Sequence, residues 1–177
     1  MNLLKRVAIL AYFILISCQT KQNPLLEKIK IANAYASDGL YREALDAYQE
    51  TLKENNNNPI IHRNTGIVYL KSKNYKKAIK HLEKARPSFH KDFDLHFYLG
   101  ESYRALFKHE KSIYYYQKAL EIKPKDRYLQ KILAWNYFNI RFYDGALKLI
   151  KKSYRRNKKD IQGAIIYARI LVKTNKL

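Results

Sequence analysis

The chain has 177 residues, 35 basic and 15 acidic, for a formal net charge of +20; that is one domain's worth of polypeptide, carrying a field that attracts anionic partners. Aromatics make up 14%, led by sixteen tyrosines, and only five glycines and four prolines are present, which supplies a core and excludes a disordered or linker-rich chain. The single cysteine excludes an internal disulfide, and no segment alternates for long enough between hairpin turns to predict a sheet.

The first seventeen residues stand apart from the rest. Lys5 and Arg6 precede the ten-residue apolar run Val7 to Ile16, the layout of a secretory signal over residues 1–17. A bilayer-spanning helix needs roughly 20 apolar residues, so the run is short for a permanent anchor. The run ends in Leu15-Ile16-Ser17-Cys18, which resembles the bacterial lipobox. That resemblance implies cleavage before Cys18, lipidation of its thiol, and a tethered segment 18–24. The other reading is an ordinary signal or an uncleaved anchor with an incidental cysteine. Acyl chains contribute roughly 0.8 kcal/mol per buried methylene, and several together anchor stably. Only Gln19 to Pro24 would then separate anchor from fold, a reach of roughly 20 Å at about 3.3–3.6 Å per extended residue.

From Leu25 onward a 34-residue period runs without insertion, restarting at Pro59, Phe93, Arg127 and Ile161. The eighth position reads Ala32, Gly66, Gly100, Ala134 and Ala168; the eleventh reads Tyr35, Tyr69, Tyr103, Tyr137 and Leu171. The twentieth holds Ala44, Ala78, Ser112 and Ala146, the twenty-fourth Tyr48, Leu82, Tyr116 and Ile150, and the twenty-seventh Thr51, Ala85, Ala119 and Ser153. Each unit carries two apolar stripes at helical spacing, such as Ile67-Tyr69-Leu70 and Tyr75-Ala78-Ile79-Leu82-Ala85. Breaks fall between stripes (Asp38-Gly39, Ser72-Lys73-Asn74) and between units (Asn55 to Pro59, Lys123 to Asp126). The small residues let paired helices approach, and tyrosine at the eleventh position fills the wedge between them. One hairpin cannot bury its apolar face alone, whereas a stack buries a continuous core.

This pattern resembles the tetratricopeptide repeat family over residues 25 to 177, most closely in Leu99-Gly100-Glu101-Ser102-Tyr103 and Ala119-Leu120-Glu121-Ile122-Lys123-Pro124. The resemblance implies an all-α, right-handed superhelical solenoid with repeats 25–58, 59–92, 93–126 and 127–160. A capping helix over 161–177 would use Arg169, Lys173 and Lys176 to keep an end surface wet. Two departures stand out: the tryptophan common at the fourth position is replaced by Lys28, His62, His96 and Gln130, and the closing proline survives only as Pro124.

The resemblance also implies a concave groove lined by first-helix positions two, five, six, nine, twelve and thirteen. In the second repeat these are Ile60, Arg63, Asn64, Ile67, Leu70 and Lys71; in the third, Asp94, Phe97, Tyr98, Glu101, Arg104 and Ala105. In the fourth they are Tyr128, Lys131, Ile132, Trp135, Phe138 and Asn139. Arg63, Asn64, Ile67, Lys71, Phe97, Tyr98, Arg104, Lys131, Trp135 and Phe138 are the candidate peptide contacts. Mixed aromatics and cations suit a protein or peptide partner with acidic and apolar side chains. Trp135 points either into the groove or into helix packing. The clamp that related domains use on acidic chaperone tails is absent: Asn33 and Asn64 match it, but Ile29, Asp94 and Tyr98 do not.

Removing residues 1–17 takes away Lys5 and Arg6 and no acid, which leaves +18. The densest basic run is Lys148, Lys151, Lys152, Arg155, Arg156, Lys158 and Lys159, with no acid among them. It reads either as a solvated outer face or as a contact for anionic lipid or cell-wall polymer. Nucleic acid is disfavoured, since no recognition-helix or RNA-binding motif accompanies the charge. No phosphate loop, His-Glu-x-x-His or Cys-x-x-Cys supports catalysis, a cofactor or a metal. His62 and His96 share a packing position, His109 takes the place of Tyr41, Tyr75 and Tyr143, and His81 and His90 lie on and after a second helix. Asp92 and Asp94 flank Phe93 at a repeat boundary, where an N-cap is the expected role. The sequence therefore predicts a non-catalytic, membrane-tethered adaptor of the bacterial cell envelope, anchored on its periplasmic side or at the outer membrane.

Overall fold

The computed structural model describes residues 23–175; the expected signal over 1–17, Cys18 and the cap residue Lys176 lie outside them. Among the described residues nine helices and no strand are found. They pair as α1 (Pro24–Ser37) with α2 (Tyr41–Glu54), α3 (Pro59–Lys71) with α4 (Tyr75–Ala85), and α5 (Phe93–Ala105) with α6 (His109–Ile122). The pair α7 (Arg127–Asn139) and α8 (Tyr143–Arg156) follows, and α9 (Ile161–Thr174) packs on both. The result is an all-α solenoid in which each element touches its near neighbours. Among the described residues no helix is long and apolar enough to cross a membrane.

Local chemistry starts the first helices on the repeat. Asn58, Asp92, Asp126 and Asp160 each precede a first helix, and their side-chain oxygens accept from backbone N–H groups two or three residues on, as Asp126 does from Leu129 at 2.8 Å. Each cap satisfies a donor that helix geometry leaves orphaned, for about 1 kcal/mol. The hairpin turns share another device. Gly39, Lys73, Phe107 and Arg141 occupy the fifteenth position, and all four have left-handed backbone, with φ of 78°, 62°, 57° and 63°.

Packing follows the small-to-large pairing expected from the period. Residues at the eighth, twentieth, twenty-fourth and twenty-seventh positions of all four repeats are buried. A Cβ on Gly100 would lie 2.5 Å from the Tyr116 ring, and one on Gly66 would lie 2.6 Å from Leu82 Cγ. In these two repeats only glycine admits that approach. Tyrosine at the eleventh position behaves differently from expectation. Tyr103 is buried, but Tyr69 and Tyr137 are half-buried and Tyr35 is 38% exposed. Tyr103 and Tyr137 also reach the preceding repeat, Tyr103 donating toward Glu83 at 3.4 Å and the Tyr137 hydroxyl accepting from Gln117 at 2.6 Å, whereas Tyr69 lies against His81 and Lys77 of its own repeat.

The missing tryptophans do not leave holes. His62 and His96 donate from Nε2 to the carbonyls of Asn56 (2.9 Å) and His90 (2.8 Å), and Gln130 donates to that of Pro124 (2.7 Å). All three side chains are buried. Each satisfies a turn carbonyl at the join between repeats, so the fourth position ties repeats together with a polar bond. His62 also meets His81, Nδ1 to Nδ1 at 3.1 Å. Because His62 Nε2 must donate to a carbonyl, neutral His62 accepts at Nδ1 and His81 donates. Burial, followed by the neighbouring His62, pushes His81 down to about 4, so the pair is neutral at pH 7.

Candidate functional site: the inner face

First helices line the inner face. α1 and α3, α3 and α5, and α7 and α9 approach one another there, whereas α5 and α7 stand farther apart and touch through side chains such as Phe97 and Tyr128, 6.2 Å between centroids. Over α7, between α9 on one side and Arg104 of α5 on the other, lies a cavity of about 230 Å³ lined by Arg104, Tyr128, Lys131, Ile132, Trp135, Gln162 and Ile166. Trp135 is half-buried and lies nearly parallel to Phe138 (5.4 Å, 17°), with the Arg169 guanidinium 5.6 Å from its ring centroid. The tryptophan therefore serves packing and the groove wall together. Arg169, expected to wet the end of the array, is exposed and also stands over the Trp135 ring from α9.

A second recess of about 330 Å³ lies between α1 and α3, where Asn33, Tyr48, Asn64, Ile67 and Lys71 meet. Asn33 Oδ1 accepts from the Asn64 amide at 2.9 Å and from the Tyr48 hydroxyl. Burial pushes the Tyr48 hydroxyl up to about 12, so it stays a neutral donor. The two asparagines are thus occupied with each other.

Most of the groove cations are also occupied, which composition does not reveal. Arg63 reaches both carboxylate oxygens of Asp92 at 3.3 Å and Asp94 at 3.4 Å, and its guanidinium lies 5.6 Å from the Phe89 centroid. Lys131 contacts Asp160 at 2.8 Å, the two side chains being 16% and 19% exposed. Both cations hold the fifth position and both acids are the N-caps that open the next repeat, so each pair latches one repeat to the following one. Hydrogen bonding to Lys131 holds the Asp160 carboxyl below its ordinary range. Arg104 pairs with Glu101 at 2.6 Å, and Glu101 also accepts from the buried Tyr116 hydroxyl. Of the predicted groove cations, only Lys71 is exposed with no ion pair among the described residues.

The aromatic candidates divide. Phe97 sits half-buried among Phe93, Tyr98, Tyr116 and Tyr128 at 5.6–6.2 Å between centroids. Tyr98 is half-buried beside Asp94, and Phe138 bridges Trp135 to Tyr143. Tyr128, at 58% exposure, is the most open ring on this wall. Of the basic run, Lys148, Lys151, Lys152, Arg155, Lys158 and Lys159 are exposed, and none forms an ion pair among the described residues.

Tetratricopeptide repeat models match residues 29–92 and 93–126. No curated protein matches the sequence. Among solved structures, YrrB, described as a TPR protein with an unusual peptide-binding site, is similar with a TM-score of 0.80 at 20% identity, over 90% of this chain and 83% of its own. MamA from Desulfovibrio magneticus RS-1 is similar with a TM-score of 0.71 at 24% identity, over 80% and 81% of the two chains. A tetratricopeptide repeat protein from Parabacteroides merdae is similar at 0.74 and 16% identity, over 83% of this chain and 59% of its own. At these identities the likeness is one of fold.

Proposed function

The chain belongs to the tetratricopeptide repeat family, and we propose that it works as a non-catalytic, membrane-tethered adaptor whose inner face holds a protein or peptide partner in the bacterial cell envelope. The observation that carries this reading is the open cavity over α7, lined by Tyr128 and Trp135 of α7 with Arg104 of α5 and Ile166 of α9, and with Arg169 standing over the Trp135 ring. Rigid aromatic rings beside a recess supply contact area at little entropic cost, which is how peptide grooves gain affinity. YrrB, by its description a peptide-binding TPR protein, lends the reading support at the level of fold.

The paired state of Arg63, Arg104 and Lys131 alters the partner chemistry expected from composition. Their charge is already neutralised, so Lys71 and Arg169 are the inner-face cations open to an acidic side chain, and apolar contact with the Tyr128-Trp135 wall carries more of the affinity. The tether is Cys18, from its place after Leu15-Ile16-Ser17 at the end of an apolar run. The alternative reading, a binder of anionic lipid or polymer, is favoured by the unpaired lysines between Lys148 and Lys159.

Crosslinking in cells followed by mass spectrometry identifies the partner. Tyr128→Ala with Trp135→Ala is expected to abolish its recovery; recovery left intact, but lost when Lys148, Lys151 and Lys152 become glutamate, defeats the groove reading. Cys18→Ala is expected to release the chain from membranes. Attachment that persists in this variant, with no lipid label on the natural chain, defeats the lipoprotein reading.

A further inference from the structure

A recess larger than either of the two on the inner face lies on the outer face. It has a volume of about 760 Å³ and runs between α6 and α8 over α7. Leu120, Leu133, Tyr137 and Leu149 supply apolar lining, and Lys148 and Lys152, one turn apart on α8, stand along one side.

The repeat explains why the recess opens at this step of the array. One step earlier, between the second and third repeats, the corresponding place is filled. There Tyr115, at the twenty-third position, stacks on Tyr103 (5.5 Å, 2°) and donates to Glu83 of the preceding repeat, and the remaining recess is about 370 Å³. In the fourth repeat the twenty-third position is Leu149. Tyr137 takes the place of Tyr103 and Gln117 that of Glu83, and those two bond to each other at 2.6 Å. A leucine is too short to close the gap that tyrosine closes, and Gly145 and Lys148 stand where the third repeat has Lys111 and Tyr114, so the cleft opens here.

Three features say what would occupy it. The lining is apolar. Lys148 and Lys152 have no ion pair among the described residues, whereas Glu121 across the cleft is already paired with Lys118 at 2.9 Å. Gln130 lines the cleft, is 1% exposed, and gives its amide to Pro124, while its Oε1 is buried without a hydrogen-bond partner. A buried acceptor of this kind wants an N–H or O–H donor. We propose that this outer cleft is a second docking site, taking an extended acidic peptide: one large apolar side chain in the cleft, a carboxylate on Lys148 and Lys152, and a peptide N–H offered to Gln130. An acyl chain of an anionic lipid would meet the first two features but brings no donor to Gln130, so the peptide fits better. The site is independent of the inner-face reading, and the two faces allow two partners to be held at once.

The test uses the full-length chain and labelled, acetylated, amidated hexapeptides with a central Phe-Leu or Leu-Leu pair flanked by glutamates, read by fluorescence anisotropy. The wild type is expected to bind saturably, and glutamine in place of the glutamates to weaken binding roughly tenfold, the scale of two partly exposed charge pairs. Lys148→Glu with Lys152→Glu should weaken it by a similar factor. Leu149→Tyr is the discriminating variant, because it installs the residue that the third repeat accommodates at this position; it should abolish binding while leaving the helical melting curve in place. Trp135→Ala should leave this binding unchanged, so a failed inner-face reading and a failed outer cleft give different results. No saturable binding by the wild type, or binding that survives Leu149→Tyr, overturns the proposal. So does strong binding to phosphatidylglycerol vesicles that Leu149→Tyr leaves intact and the lysine reversals abolish, which would assign the patch to a membrane surface.

Discussion

The fifteenth position of each repeat offers a measurable test of how the fold is specified. Gly39, Lys73, Phe107 and Arg141 all adopt left-handed backbone, yet only the first is the residue suited to it. A non-glycine residue there costs roughly 1–2 kcal/mol through contact of Cβ with the following carbonyl. Glycine removes that cost but enlarges the entropy of the unfolded chain, a loss of about 0.4–1 kcal/mol. Apart from the edge contact of Phe107 with His109 (6.4 Å between centroids), little else changes on replacement. The backbone N–H bonds, Lys73 to Leu70 (2.9 Å), Phe107 to Arg104 (2.9 Å) and Arg141 to Phe138 (3.0 Å), need no side chain. Phe107 is 81% exposed, and Lys73 and Arg141 are exposed without ion pairs among the described residues. Each of Lys73→Gly, Phe107→Gly and Arg141→Gly should therefore stabilise by about 0.5–1 kcal/mol. The turns share no contacts, so the triple variant should gain roughly 1.5–3 kcal/mol and melt about 3–12 °C higher. Thermal unfolding followed by circular dichroism, with urea titration alongside, reads this directly. A triple variant no more stable than the natural chain refutes the claim that these turns carry strain that glycine relieves.

Three further outcomes follow from the packing. Gly100→Ala gains helix propensity of about 1 kcal/mol but drives a methyl into the Tyr116 ring, whose hydroxyl is tied to Glu101; a net loss of roughly 1–2 kcal/mol is expected from overpacking, and a rise in Tm would show that the helices can part freely there. His81 has a folded-state pKa of about 4, below its ordinary value of 6.5; stability is therefore complete above about pH 6.5 and declines as pH falls toward 4, because the unfolded chain binds the proton first. His81→Leu should flatten that decline, and urea midpoints at pH 7 and pH 5 that shift equally in both proteins would contradict the assignment. Lys131→Met removes the partner of Asp160, whose carboxyl is held low. The stability from this pair is present above the ordinary carboxylate range and lost as pH falls through the folded value, so the variant should lose amide-exchange protection first in α9; unchanged protection there would remove the latch from the argument.

Much of the architecture was legible because the period made residues comparable. Small residues at the eighth and twentieth positions, large ones at the twenty-fourth, and acids before the first helices could each be read as architecture, and Asp92 does cap α5. The inner face was legible as a set of positions but not as a set of available groups. Arg63 and Lys131 look like groove cations in sequence, yet acids 29 residues away neutralise them. The spacing of fifth position to next N-cap is constant, so the ion pairs were visible in principle as Arg63-Asp92 and Lys131-Asp160. The fourth-position polar residues looked like defects and are instead bonds between repeats. The outer cleft had a signal in leucine at the place of Tyr115, which meant nothing until Tyr115 was seen to bridge to Glu83.

By itself the sequence determined what recurs: helix lengths, their breaks, and which side chain must be small or large at each place. Those properties depend on neighbours within one period, so a local pattern is enough to dictate them. Only the tertiary structure decided which charges are left over, which rings face solvent, and where the stack leaves a gap. Those depend on distances between residues in different repeats, at the scale of single ångströms for a hydrogen bond and a few for a cleft. A change from tyrosine to leucine alters the periodic pattern very little and the surface between two repeats a great deal, and that surface is where the leftover lysines and the unpartnered Oε1 of Gln130 come together.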